Sequence, residues 1–270
     1  MKVIKREHPM TQNTLPGISY QALLLCAVSL SAMVLSVPGQ AAQSHDEGFY
    51  LGLGLGYASY SDDIYSSEVL NNLLAQEGIQ PESVASSSAD GDDSSFSYKL
   101  FGGYRFNGFF AVEAFYADLG DVSGRLSWSG QGTLVDATVP QLWDVDFQAE
   151  DMKVEVQALG FSAVGTYPVA DNFRLYAKLG AFWYNTDSRG GWVVDATSGI
   201  GGIYMTEGSW EHSNDDHSWL GAIGVTYTLS EAIDINLEWE TFQDIDFQYG
   251  KNETSDFDVS VFNASFSYNF

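Results

Sequence analysis

The stretch GFYLGLGLGYASY, Gly48 to Tyr60, sets leucine against glycine in strict alternation. A period of two is a strand signal, because successive side chains point to opposite faces of a sheet. One face of this strand carries Leu51, Leu53, Leu55 and Tyr57, and the other carries Gly52, Gly54, Gly56 and Ala58. Glycine weakens a strand interior unless something approaches closely. A soluble sandwich needs bulk on its inner face and charge on its outer one. This strand is greasy on one side and nearly empty on the other, which suits a strand between lipid and a confined interior.

The same alternation recurs in eight segments: Gly48–Tyr60, Ser95–Asn107, Phe109–Trp128, Lys153–Val169, Phe173–Asp187, His217–Ser230, Ile233–Asp244 and Asp256–Phe270. Asn107-Gly108, Ala170-Asp171-Asn172 and Ser230-Glu231-Ala232 read as short turns. The other connections, roughly 61–94, 129–152, 188–216 and 245–255, are long and acidic, as in SADGDD, SNDDH and GKNETSD. They all fall at one end of the strands. Long loops are uncommon in compact soluble domains, whereas short turns at one end and long loops at the other characterise bacterial outer-membrane barrels. Segment faces agree. Leu175, Ala177, Leu179, Ala181 and Trp183 oppose Arg174, Tyr176, Lys178 and Gly180, and Ile233, Ile235, Leu237 and Trp239 oppose Asp234, Asn236, Glu238 and Glu240. A soluble antiparallel sheet explains each segment singly. It does not explain why the charged face also carries so much Gly, Ser and Ala. Aromatics near segment ends (Phe49, Tyr50, Tyr104, Phe106, Phe109, Phe110, Tyr227, Trp239, Tyr268 and Phe270) are expected to form interfacial girdles.

The N-terminus reads as an export signal. Lys2, Lys5 and Arg6 precede the apolar run Ala22 to Val37, and Pro38-Gly39-Gln40-Ala41 supplies small residues at a cleavage position. At about 16 residues the run is short for a spanning helix. Residues 1–41 are therefore expected to be removed, with cleavage after Ala41 or Ala42, leaving 42–270 as the barrel domain. The single cysteine, Cys26, would leave with the signal, and Leu25 before it argues against a lipoprotein. Lys and Arg number 11 against 36 Asp and Glu, a net charge of −25 that excludes nucleic acid as a partner. No later stretch approaches a spanning helix. Because an open sheet edge in lipid would strand backbone groups at several kcal/mol each, the sheet must close. The expected fold is all-β: an eight-stranded antiparallel up-and-down transmembrane β-barrel with short periplasmic turns and long extracellular loops.

Three stretches resemble the transmembrane domain of the OmpA-like family. FGGYRFNGFFAVEAFYADLG, Phe101 to Gly120, is similar to the family's second strand, tight turn and third strand; TYPVADNFRLYAKLGAFWYN, Thr166 to Asn185, to its fourth turn region and fifth strand; GVTYTLSEAIDINLEWETF, Gly224 to Phe242, to its sixth and seventh strands. With the first strand, the likeness runs across residues 48–270. The final strand alternates Phe262, Ala264, Phe266, Tyr268 and Phe270, and resembles the terminal signal (Phe266, Tyr268, Phe270) read by the barrel-assembly machinery. Larger members carry a peptidoglycan-binding domain after the barrel; none is expected here, so cell-wall tethering is not carried over from the resemblance. The family's interior charge cluster, linked to gating of a small pore, implies lumen roles for Lys99, Arg105, Glu113, Arg174, Lys178, Glu238 and Glu240. Val164, Thr226 and Asn236 stand where other members carry charge. A buried carboxylate is costly without a cation, so Glu113 and Glu238 require Lys178, Lys99, Arg105 or Arg174 nearby.

Catalysis finds little support. Asp215-Asp216-His217 superficially suggests a carboxylate–histidine pair, but a working base needs an orienting group within reach. Neighbours on a strand point to opposite faces, so Asp216 and His217 are expected to be poorly placed. SADGDD lacks the spaced ligands of a calcium loop, which leaves diffuse attraction of divalent cations or, as the preferred reading, solubility in a saline habitat. No catalytic, cofactor or metal residues are assigned. The expected role is structural or surface-exposed in the bacterial outer membrane, as a monomer among outer-membrane lipids and lipopolysaccharide. A narrow ion or solute pore is the alternative, and an outer-membrane lipid hydrolase the more remote one.

Overall fold

The computed structural model describes residues 2–6, 47–61, 64–135 and 141–270. In chain order these form β1 (Lys2–Arg6), β2 (Gly48–Tyr60), helix α1 (Ser67–Gln76), β3 (Ile79–Gly91), β4 (Ser94–Asn107), β5 (Phe110–Leu134), β6 (Trp143–Ala170), β7 (Phe173–Ser198), β8 (Ile203–Ser230), β9 (Ile233–Tyr249) and β10 (Glu253–Asn269). Apart from Lys2–Arg6, the expected signal segment and its cleavage position lie outside the described residues.

Strands β2, β4, β5, β6, β7, β8, β9 and β10 pair antiparallel with their neighbours in that order. The ring closes where β10 pairs with β2, from Val259 opposite Tyr60 to Asn269 opposite Tyr50. The result is an eight-stranded up-and-down barrel. Among the described residues no helix is long and apolar enough to cross a membrane; strands make the crossing.

Side chains alternate across the wall as the sequence predicts. Leu53 is 40% exposed on the outside and Leu179 65%. The glycines face inward, where neighbours fill their space: a Cβ on Gly52 would lie 2.2 Å from the Phe101 ring, and one on Gly54 2.4 Å from Asn263 Oδ1. The glycine face is thus a set of recesses for an aromatic ring and an amide. At the periplasmic end, Asn107 Oδ1 accepts from the amides of Phe109 and Phe110 at 2.9 Å each, closing the turn at Gly108–Phe109. Outside, aromatics cluster at this end, with Phe49 on Tyr104 at 4.8 Å, Phe106 on Phe110 at 5.6 Å and Phe173 on Tyr227 at 4.9 Å. Tyr50 corrects the girdle expectation: it points into the lumen and is buried, because it shares the parity of Gly52 and Gly54.

The extracellular side departs furthest from expectation. Segments expected as long loops are mostly strand: β5, β6, β7 and β8 run for 25, 28, 26 and 28 residues. The acidic residues within them are one face of an alternation, as in Trp143-Asp144-Val145-Asp146-Phe147, whose apolar members are buried and whose acids are exposed. Bulges separate this crown from the membrane cylinder. They fall between Asp118 and Gly120, between Glu150 and Lys153, and between Phe257 and Val259. Each lets the inward parity slip: β5 buries Ala111, Glu113, Phe115 and Ala117 below its bulge, Leu119 within it, and Val122, Leu126 and Trp128 above it. Such slips re-aim side chains.

The span expected as the loop 61–94 holds α1 and β3, which pairs with β5. Val69, Leu70, Leu73 and Leu74 recur at helical spacing and are buried in the same apolar cluster as Ile79, Leu126, Phe247 and Phe257. Each such side chain contributes about 1.5–3 kcal/mol by leaving water. Ser66 caps the helix by accepting from the Val69 amide at 3.3 Å. At the far end Lys251 Nζ reaches the Gln76 carbonyl at 3.0 Å and Glu77 at 3.1 Å. The helix closes the crown over an apolar core.

Candidate functional site

Every residue expected in the lumen charge network faces inward, and the structure sorts them into two groups. In the upper group, Lys99 Nζ lies 3.0 Å from Glu238 and 2.8 Å from Glu240. Lys178 Nζ lies 2.7 Å from Glu113 and 2.7 Å from Glu238, and Tyr50 donates to Glu113 at 3.1 Å. All five charged groups are buried. The ammonium groups also face rings, Lys99 over Phe115 at 5.1 Å and Lys178 over Phe101 at 5.4 Å. The cations required for Glu113 and Glu238 are therefore the two lysines.

Arg105 and Arg174 do not reach the glutamates. They converge on Asp234, at 3.6 Å and 2.8 Å, nearer the periplasmic turns. Thr228 and Asn269 also donate to Asp234, at 2.8 Å and 3.0 Å. Asp234 was missing from the expected network, although it shares the parity of Glu238 and Glu240 on β9. It completes the charge balance: the upper group holds two cations and three carboxylates, the lower two cations and one. Val164, Thr226 and Asn236, the departures from the family pattern, are also buried inward. Thr226 donates to Asn236 at 2.7 Å, so a neutral hydrogen-bonded pair stands where charge was expected.

Above the upper group the lumen turns aromatic. Phe182 and Phe242 are both 0% exposed and Phe115 is 3% exposed. Phe242 packs edge-on against Phe182 at 5.1 Å and against Phe115 at 6.2 Å. This layer went unread in the sequence, yet parity marks it. Phe115 lies two residues beyond Glu113, Phe182 four beyond Lys178, and Phe242 two beyond Glu240.

The remaining candidates sit on the surface. Asp216 Oδ1 lies 2.9 Å from His217 Nδ1 and accepts from the His217 amide at 2.7 Å. This corrects the expectation that neighbours on a strand cannot meet, because the carboxylate turns along the strand to its neighbour's backbone. Both side chains are exposed, His217 at 76% and Asp216 at 46%. Asp92 of the SADGDD run accepts from Ser123 at 3.1 Å. Among the described residues no group of three or more His, Cys, Asp or Glu is placed to hold a metal ion. Phe266, Tyr268 and Phe270 lie exposed on the outer wall at the periplasmic end, and the Phe270 amide donates to Phe49 at 3.0 Å.

A closed antiparallel cylinder, apolar outside and ion-paired within, defines an outer-membrane β-barrel. The chain belongs to the family of the OmpA-like transmembrane domain, whose model matches residues 44–270. No curated protein matches it. Among solved structures it is similar to the outer membrane protein OprG from Pseudomonas aeruginosa, at 16% identity and a TM-score of 0.43 over 85% of this chain and 99% of that one. It is similar to Neisserial surface protein A at 17% identity and 0.40, over 83% and 97%. The outer membrane protease OmpT from Escherichia coli matches at 12% identity and 0.40, over 86% and 99%.

Proposed function

We propose that this protein is a non-conducting, non-catalytic barrel of the outer membrane, and that its role is carried by the crown it holds outside the cell. The observation that carries this reading is the buried layer of Phe115, Phe182 and Phe242 above the ion pairs. Water and ions need a polar path, and three packed rings beneath an apolar crown oppose one. The pore reading draws on the charged lumen, but every carboxylate there already has a cation or hydrogen-bond donor within reach. Against an enzyme stands the exposure of the Asp216–His217 pair, which lacks the enclosed setting a general base needs. The partners that fit are bilayer lipids and lipopolysaccharide around the wall, with the barrel-assembly machinery reading Phe266, Tyr268 and Phe270 during insertion. Divalent cations would gather diffusely at the acidic crown, and the barrel would stand as a monomer.

Planar bilayers test the proposal. Purified barrel should add no steady conductance in concentrated potassium chloride. Reproducible steps that scale with salt would replace this reading with the pore.

A further inference from the structure

The ladder between β8 and β9 stops at Leu220 opposite Phe242. Below that point both strands belong to the wall. Above it β9 follows β10 instead, from Ile245 opposite Phe257 to Tyr249 opposite Glu253. Asp244, at φ 52°, turns β9 inward. The edge β9 would have shown to β8 is then met by side chains. The Asp246 amide donates to the Tyr184 hydroxyl at 2.9 Å, Thr186 donates to the Asp246 carbonyl at 2.8 Å, and Ser188 donates to the Gln248 carbonyl. This row of hydroxyls on β7 replaces a strand partner for β9. Thr186 also lies 3.4 Å from the Asn214 carbonyl of β8, and from β8 itself His212 and Asn214 reach the Gly250 and Asp246 carbonyls at 2.8 Å and 3.5 Å, but these are side-chain contacts and add no strand beside β8.

Strand β8 meanwhile keeps its pairing with β7 up to Ile203 opposite Thr197. Among the described residues, 208–219 therefore have a strand on one edge and none on the other. At 203–207 that same edge is taken by β1, which runs parallel to β8 from Lys2 opposite Ile203 to Arg6 opposite Glu207. The edge thus accepts an added strand, and the strand it accepts reads KVIKR. Natural edges are blunted by proline, by charged side chains, lysine above all, or by bulges, and the only charges on this edge are the acids Glu207, Glu211, Asp215 and Asp216, which repel an acidic strand but attract a basic one. The sequence IYMTEGSWEHSNDDHSW, 203–219, contains no proline or lysine, and its ladder to β7 is unbroken.

Charge selects the occupant. Between 186 and 219 stand Asp187, Asp195, Glu207, Glu211, Asp215 and Asp216, against Arg189 as the sole lysine or arginine. Burial and the neighbouring Asp216, Asp256 and Asp244 carboxylates push the Asp246 carboxyl of the crown above the ordinary range, as a negative field would. A second copy of this edge would set acid against acid. Residues 1–41 are expected to leave on export, which would vacate 203–207 as well.

We propose that the crown edge of β8, residues 203–219, takes up an extended basic segment of another polypeptide by strand addition. Main-chain hydrogen bonds would supply affinity, and alternate lysines and arginines would supply selectivity against the acidic edge. The inference rests on the crown being the functional part of a closed barrel.

The test uses barrel extracted from outer membranes and placed in phosphatidylcholine vesicles, with a fluorescent peptide of residues 1–9 as probe. Saturable binding is expected, falling at least tenfold when alternate peptide amides are N-methylated and at least tenfold for Glu211→Lys with Asp215→Lys. Methylation leaves peptide charge intact, so it isolates the main-chain ladder on the unaltered protein. No saturable binding would overturn the proposal. Equal binding of the methylated peptide would too, since it would leave charge alone as the cause. Disulfide formation between copies carrying Ser213→Cys would assign the edge to a second copy instead. Bilayer silence is measured separately, so the barrel reading survives or fails by itself.

Discussion

Lys178→Met is expected to lower the unfolding free energy of the barrel by about 3–5 kcal/mol, the usual cost of removing one partner from a buried ion pair. Lys178 touches Glu113 and Glu238, each at 2.7 Å. Methionine fills a similar volume, so packing changes little while two carboxylates lose a cation. Glu238 keeps Lys99 at 3.0 Å, but Glu113 is left with the Tyr50 hydroxyl at 3.1 Å. Adding Glu113→Gln should therefore recover part of the loss. Leu179→Ala, one residue on and facing outward, should cost far less. Urea titration in detergent micelles, followed by tryptophan fluorescence, measures all of these. A loss under about 1 kcal/mol for Lys178→Met would mean that water reaches the cluster and screens it.

The second large effect is on the outer wall. Leu53 lies at the middle of β2, opposite Leu100 on one side and Phe266 on the other. Leu53→Arg should cost about 2–4 kcal/mol in a bilayer, the range for arginine on a barrel's lipid face near the midplane. Val193 is also exposed on the outer face, but of the crown. Val193→Arg should stay within about 0.5 kcal/mol, as surface changes in water do. Equal costs at the two sites would contradict the placement of the bilayer around the lower barrel alone.

Much of the cylinder was legible because lipid imposes a strict two-sided code. Strand β2 spans the expected Gly48–Tyr60, and the starts or ends at the short turns fall within a residue or two of expectation. The crown was harder to read because water accepts acids on its outer face. Asp144 and Asp146 mark solvent there, yet they resemble loop residues when the alternating Val145 and Phe147 go unweighed. Helix α1 hid for a similar reason, since Leu70, Leu73 and Leu74 sit inside a span whose glycine, serine and aspartate suggested a loop. Within the site, the charged residues were found from their inward parity. Their partners were not, because register decides who meets whom. Asp234 draws Arg105 and Arg174 away from the glutamates only because β9 sets it two turns of alternation nearer the periplasm than Glu238. Phe115, Phe182 and Phe242 escaped because apolar residues on a polar face look like exceptions until a layer from three strands brings them together.

The seam between the first and last barrel strands offers the most direct measurement. Leu55 and Ala264 are opposite each other across β2 and β10, both on the outer face. Cysteines at these two positions should form a disulfide in the outer membrane under mild oxidation, because strand partners lie within the separation a disulfide spans. Leu100 and Tyr116, partners across β4 and β5, provide a control that any hairpin would satisfy. Both pairs linking within one chain is the predicted result. A control pair that links while Leu55→Cys and Ala264→Cys stay apart would mean that the sheet is open.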